Sequence, residues 1–251
     1  MKGTGSLIDR FGVTIGSVVA ICGSGGKTTL LYRLAAEAAE RGWKTLCSST
    51  VTAQMVHAAP NRAVMVTEGI SDLESHLRGT LTGTGLVILF GTEERRDKML
   101  GVPVETLGKL YEARLADLMV LECDGARHRP FKAPADYEPV IPPFASHVVV
   151  VVGTEALGQA MDEHLVHRPE RVKVLTGLDD GGIISPEVIA QVVGAPESYL
   201  SKGPPGARWF LYCTKATTPE RKDAVGRLVE LLAESPLEVI LADSTPPRGT
   251  A

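Results

Sequence analysis

Two clusters of side chains in this chain carry chemistry that folding alone does not ask for. The first is Gly23-Ser24-Gly25-Gly26-Lys27-Thr28-Thr29. It follows the apolar run Val18-Val19-Ala20-Ile21-Cys22 and opens onto a helical pattern ending near Gly42. Strand, glycine-rich turn and helix in that order form the context of a phosphate-binding loop. Glycines let backbone N–H groups close around a phosphate chain without Cβ clashes. The helix N-terminus adds unpaired donors and partial positive charge. In such a loop Lys27 reaches the terminal phosphates and the Thr28 hydroxyl holds Mg2+. The first glycine of the pattern G-x-x-x-x-G-K-[ST] falls at Ile21, so the loop is a variant. The competing reading is a strand-to-helix turn that binds nothing.

The second cluster is acidic. Leu118-Met119-Val120-Leu121-Glu122-Cys123-Asp124-Gly125 is an apolar strand ending in two carboxylates two residues apart, as a Walker-B-like strand should be. Such groups can bind Mg2+ directly or through water and orient a nucleophile. Side chains alternate along a strand, so Glu122 and Asp124 share a side and Cys123 points away. Residues 126–143 follow, with five prolines and the cations Arg127, His128, Arg129 and Lys132. Prolines fix the path of a loop. A stiff basic loop beside a nucleotide suits a phosphate or an anionic substrate; the alternative is a rigid crossover whose charges face water.

These clusters need a scaffold. Buried-strand patterns recur at 44–48, 62–67, 86–90, 146–153, 208–215 and 237–242. Helical patterns lie between them, at 71–78 with a Ser71/Glu74 capping box, and at 104–116, 169–177, 185–193 and 219–234. A helix also starts at 154–157, and the charged stretch 91–98 reads as a surface loop. The alternation predicts an α/β fold: a mostly parallel sheet, helices on both faces, ligand at the carboxyl edge. One domain spans 1–251, with the basic loop at 126–143 and a small helical insert near 155–205. Ser49-Thr50-Val51-Thr52 ends the second strand; Thr50 either contacts Mg2+ or simply caps the strand. Thr214-Lys215-Ala216-Thr217 ends a late strand where a base would sit, and Lys215 is its expected contact. The acid that a guanine reader wants is missing there, which favours ATP over GTP.

The chain has 251 residues, a formal charge of −4, 44% hydrophobic and 22% charged residues. That balance is ordinary for a globular domain and gives no sign of a nucleic-acid partner. No apolar run reaches the roughly 18 residues of a membrane span. The N-terminus lacks the apolar core of a signal peptide, so a cytoplasmic location is expected. Cys22, Cys47, Cys123 and Cys213 lie in strand-like runs and read as reduced, buried thiols; a sharper alternative has Cys123 facing the nucleotide. His164 and His167 lack the cysteine or acid that would complete a metal set, and His167-Arg168 reads better as an anion contact.

The loop resembles the G-T-N-G-K-T-T loop of Mur-type ATP-dependent ligases. The whole chain resembles the YqeC family, accessory factors for selenium-dependent molybdenum hydroxylases. That family looks like G-x-G-G-K-T-T followed by E-x-D-G-A-x-x-x-P-x-K-A-P-x-x-x-E-P-x-x-P. Here the first is Gly23, Gly25, Gly26, Lys27, Thr28 and Thr29. The second is Glu122, Asp124, Gly125, Ala126, Pro130, Lys132, Ala133, Pro134, Glu138, Pro139 and Pro142. His167-Arg168-Pro169-Glu170 matches the family's H-R-P-E. The resemblance implies a P-loop NTPase fold and a role in cofactor maturation, without a defined reaction.

The expectation is therefore a Mg-ATP-binding protein. Gly23, Ser24, Gly25, Gly26, Lys27, Thr28, Thr29 and Lys215 bind nucleotide. Thr28, Thr50, Glu122 and Asp124 hold Mg2+. Lys27, Glu122, Asp124, Arg127 and Lys132 act in catalysis, and Arg168 helps bind an anion. An ATP-dependent enzyme acting on an anionic small molecule, a switch or chaperone that binds an apo-hydroxylase or a maturation protein, and a structural nucleotide binder all remain open.

Overall fold

The computed structural model describes residues 5–54, 63–95 and 98–242. Its centre is one eight-stranded sheet. The strands are β1 (Ser17–Gly23), β2 (Thr45–Ser49), β3 (Ala63–Val66), β4 (Leu86–Phe90), β5 (Leu118–Glu122), β6 (His147–Gly153), β7 (Arg208–Thr214) and β8 (Leu237–Leu241). Their order across the sheet is β8-β7-β6-β1-β5-β2-β4-β3. Every neighbouring pair is parallel. Parallel strands need long crossovers, and the helices that supply them cover both faces. That is why β1 and β6 are apolar at almost every position rather than alternating: all seven residues of each are buried.

Alternate side chains feed two cores. On one face Val19, Ile21, Val120 and Val149 meet α1 (Leu7–Phe11) and α2 (Lys27–Glu40) through Phe11, Leu30, Leu34 and Ala38. On the other, Val18, Ala20, Leu121 and Val150 meet α3 (Leu73–Thr84), α4 (Val104–Glu112), α5 (Pro169–Thr176), α6 (Pro186–Gly194) and α7 (Pro219–Leu231). The order reverses at β1: β2, β3 and β4 lie to one side, and β6, β7 and β8 to the other. Open α/β sheets bind ligands at such a switch point, beyond the carboxyl ends of the strands. The architecture is that of a P-loop NTPase-like α/β fold. Among the described residues no helix is long and apolar enough to cross a membrane.

Local departures have local causes. Helix α3 is capped by Asp72, not Ser71: its carboxylate accepts from Ser75 N at 3.0 Å. An ionised carboxylate at the positive helix end outcompetes a hydroxyl one residue earlier. The helix also runs on to Thr84. At 154–157 the chain makes only a 3-10 turn, Thr154–Ala156. The charged stretch after β4 is not a plain loop. Glu93–Arg95 pairs antiparallel with Lys98–Met99, which pairs with Ala53–Gln54. Within 126–143, Phe131–Lys132 forms a parallel pair with Val166–His167. Arg62 and the tail at 244–251 lie outside the described residues.

Leu34 is fully buried where α2 crosses the sheet. Leu34→Ala should lower unfolding free energy by about 2–5 kcal/mol, the range for a truncated core leucine. Urea titration followed by circular dichroism would measure it.

Candidate functional site

Three backbone turns shape the loop after β1. Gly23, Gly25 and Gly26 have φ of +87°, +81° and +141°, a region that side chains disfavour. At Gly25 there is no room either: a Cβ would sit 2.5 Å from Gly153 N and 2.9 Å from Pro130 O. Neighbouring segments hold the loop. Ser24 N donates to Val151 O (2.8 Å), Ser24 Oγ to Pro130 O (3.0 Å) and Thr214 Oγ1 to Gly25 O (2.6 Å). Helix α2 starts at Lys27 with Gly26 as its cap. Its first amides have no acceptor within the helix and face outward from its positive end.

Around the loop sits a compact charge cluster. Lys27 Nζ donates to Gly23 O at 2.9 Å and lies 3.5 Å from Glu122 Oε1 and 3.4 Å from Asp124 Oδ1. Burial pulls this ammonium towards neutrality, but Asp124 and Glu122 outweigh it and raise the pKa, so Lys27 is a cation. Thr28 Oγ1 donates to Glu122 Oε2 at 3.1 Å. Asp124 has no exposed surface. Its Oδ2 accepts from Gly23 N at 3.0 Å and lies 2.9 Å from Lys132 Nζ. Its Oδ1 faces only Lys27, at a distance too long for a well-formed hydrogen bond.

Lys132 extends the cluster inward. Its ammonium donates to Gly125 O at 2.7 Å and lies 2.8 Å from Glu138 Oε1. Arg168 closes on the same carboxylate and donates to Tyr137 Oη at 2.9 Å. The paired strands Phe131–Lys132 and Val166–His167 bring these distant segments together.

The structure thus gathers Lys27, Thr28, Glu122, Asp124 and Lys132. Glu122 and Thr28 border open space, whereas Asp124 and Lys132 are interior. Lys132 does not point at the cavity, and Arg168 is engaged with Glu138 and Tyr137. Thr50 does not join Thr28 and Glu122; its hydroxyl donates to Val140 O at 2.8 Å. Lys215 follows Thr214 at the loop's other flank and pairs with Glu155. All four cysteines are buried thiols, and none is in a disulfide. Cys123 directs its thiol to Leu121 O and packs in the α3–α7 core, away from the loop; burial raises its pKa. Among the described residues no three His, Cys, Asp or Glu side chains converge as a metal site.

The open space is a cavity of about 1040 Å³ over the carboxyl ends of β5, β2 and β4. The phosphate loop, Thr28 and Glu122 form one end, and Arg127 and His128 border it. Ser48, Ser49 and Thr52 line its middle, and Ile88, Phe90 and Tyr32 lie beyond. Arg95 and Lys98 complete the wall. Sequence reasoning passed over these two cations. The signal was available: they follow the carboxyl end of a parallel strand, where ligand contacts gather.

Two outcomes follow. Lys132→Met strands Asp124 and Glu138, and should cost about 3–5 kcal/mol, the range for breaking a buried pair; adding Glu138→Gln should recover part of this in denaturant titration. His167 is held neutral down to about pH 4 by burial and by Arg168, Lys132, Arg127 and Arg129. Its folded pKa lies below the ordinary 6.5, so the unfolded chain takes up the proton first. Stability should be flat in this respect above pH 6.5 and fall towards pH 4, and His167→Gln should flatten that slope in thermal melts.

The YqeC protein family model matches residues 19–170, from β1 through the acidic strand and the proline-rich loop to the start of α5. An uncharacterized YqeC protein of Escherichia coli K12 is 26% identical over 224 residues, covering 89% of this chain and 86% of that protein. The phosphate loop, the Glu122/Asp124 pair and the basic loop packed behind them all fall within the matched span, and the chain belongs to the YqeC family.

Proposed function

We propose that this chain binds Mg-ATP at the loop after β1 and spends it in maturing a selenium-dependent molybdenum hydroxylase or its cofactor. The carrying observation is the pairing of Lys27 with Gly23 O and the two carboxylates at the entrance of α2. A charged lysine resting on a carbonyl, beside a loop with no room for a Cβ at Gly23 or Gly25, is arranged for an incoming phosphate chain. The donor set suits Mg2+, which uses one or two protein oxygens and takes the rest from phosphate and water. Thr28 and Glu122 would hold it, and it would neutralise charge between the terminal phosphates. Asp124 would act through Gly23 N–H and Lys27, keeping both in place. ATP is favoured over GTP because no acid follows Lys215 to read guanine. The maturation role rests on the family resemblance.

The reaction this site serves best is phosphoryl transfer to an oxyanion. An acceptor oxygen attacks the terminal phosphorus, the bond to the bridging oxygen breaks, and ADP leaves with that electron pair. Lys27 and the α2 amides meet the charge on the transferring group. One observation favours a second reading, a nucleotide-dependent switch. Alternating charges run from Lys27 through Asp124, Lys132 and Glu138 to Arg168, and end at the exposed Tyr137. Hydrolysis accelerated by a small acceptor would select the enzyme; acceleration by a protein partner would select the switch.

Calorimetry of Mg-ATP, Mg-ADP and Mg-GTP against the full chain tests the nucleotide claim. Binding of Mg-ATP that Lys27→Ala weakens by about tenfold or more is expected, since a charge-assisted contact to phosphate is lost. No heat with any nucleotide, from protein shown to be folded, would overturn it.

A further inference from the structure

The cavity is wider than the phosphate loop explains. Its far wall is β4 and the antiparallel ribbon that follows, three strands from β1. At the usual inter-strand spacing that is about 14 Å. Thr214 and Lys215 lie on the opposite side of β1, beyond β6. A nucleotide extending from the loop towards Lys215 leaves the β2–β4 side of the cavity unfilled.

That side has its own chemistry. Arg95 and Lys98 line it from the ribbon, and Arg127 lines it from the turn after β5. Among the described residues none of the three has a carboxylate partner, whereas Lys27, Lys132, Arg168 and Lys215 each have one. Like charges around a partly enclosed space repel, and an anion between them would relieve that. Arg127 is also held at a φ of +48°, a conformation disfavoured for a side-chain-bearing residue. Ile88, Phe90 and Tyr32 line the same cavity and give it an apolar and aromatic surface. Pockets with an apolar floor and a few converging charges are the usual form of a small-molecule site.

We propose that the β2–β4 side of the cavity binds a second small molecule, an organic anion carrying a phosphate or carboxylate and a flat apolar portion. Its role as co-substrate rests on the nucleotide reading above; its binding does not. Seated there, it faces the end of the loop where Thr28 and Glu122 lie, so an oxyanion on it is the acceptor that the transfer step requires.

The probes are 1-naphthyl phosphate and 1-naphthoate, titrated by naphthyl fluorescence into the full chain with and without saturating Mg-ADP. 1-Naphthol and inorganic phosphate are the controls for ring and charge alone. One equivalent of an anionic probe should bind and persist when Mg-ADP is present. Arg95→Glu/Lys98→Glu should weaken it by about tenfold or more, as two charge-assisted contacts are reversed. Arg127→Glu should weaken it as well. Whichever of the two anions binds tighter identifies the headgroup. Competitive displacement by Mg-ADP would assign the cations to the nucleotide and overturn the proposal. So would equal binding by the double variant or by 1-naphthol. If Mg-ADP itself does not bind, the nucleotide reading fails while the variant series still decides this site.

Discussion

Asp124 is a carboxylate with no exposed surface, two residues beyond the end of a central strand. Leaving water costs such a group several kcal/mol. It is tolerated because Gly23 N–H and Lys132 meet one oxygen while Lys27 faces the other. Those three partners come from the end of β1, the proline-rich loop and the start of α2. A single buried charge therefore ties together the three segments that shape the loop. Remove a partner and the cost of burial is felt by the other two.

The two acids of the β5 strand end are separated by one residue and by very different surroundings. Glu122 lies at the cavity edge with Thr28 in reach and can exchange partners with a ligand or solvent. Asp124 can exchange with nothing except its lysines. The cavity edge and the loop geometry thus fall to different carboxylates, and each can be altered without directly replacing the other. Lys27 belongs to both sets, which makes it the natural point where binding at the loop would be felt in the interior.

Much of this was readable in advance, because it is local. Continuous apolar runs at 18–22 and 148–152 announced buried parallel strands, and Gly-Lys-Thr-Thr after the first announced the loop. The acids at 122 and 124 announced the second half of the site. What stayed hidden depends on distant partners. Nothing around Lys132 says that its ammonium is interior; that follows from Asp124 and Glu138, which reach it only once the loop has folded back. Arg95 and Lys98 looked like a solvated charge run. Arg95 pairs with Lys98, and Lys98–Met99 pairs in turn with Ala53–Gln54, some forty residues earlier; that distant pairing is what builds the ribbon. The Asp72 cap was a contest between adjacent residues that composition could not decide.

The ends of the described chain meet. Arg10 donates to Leu241 O across 231 residues, and Phe11 sits edge-on to Phe210 and Tyr212. Helix α1 therefore has no finished surface to lie on until the last strands exist. The same is true of the phosphate loop, which is pinned by Val151 and Thr214. A ribosome delivers the chain from its N-terminus, so the loop emerges early and its supports emerge late. Until Val151 and Thr214 have been made, the nascent chain carries the loop sequence without the supports that give it shape.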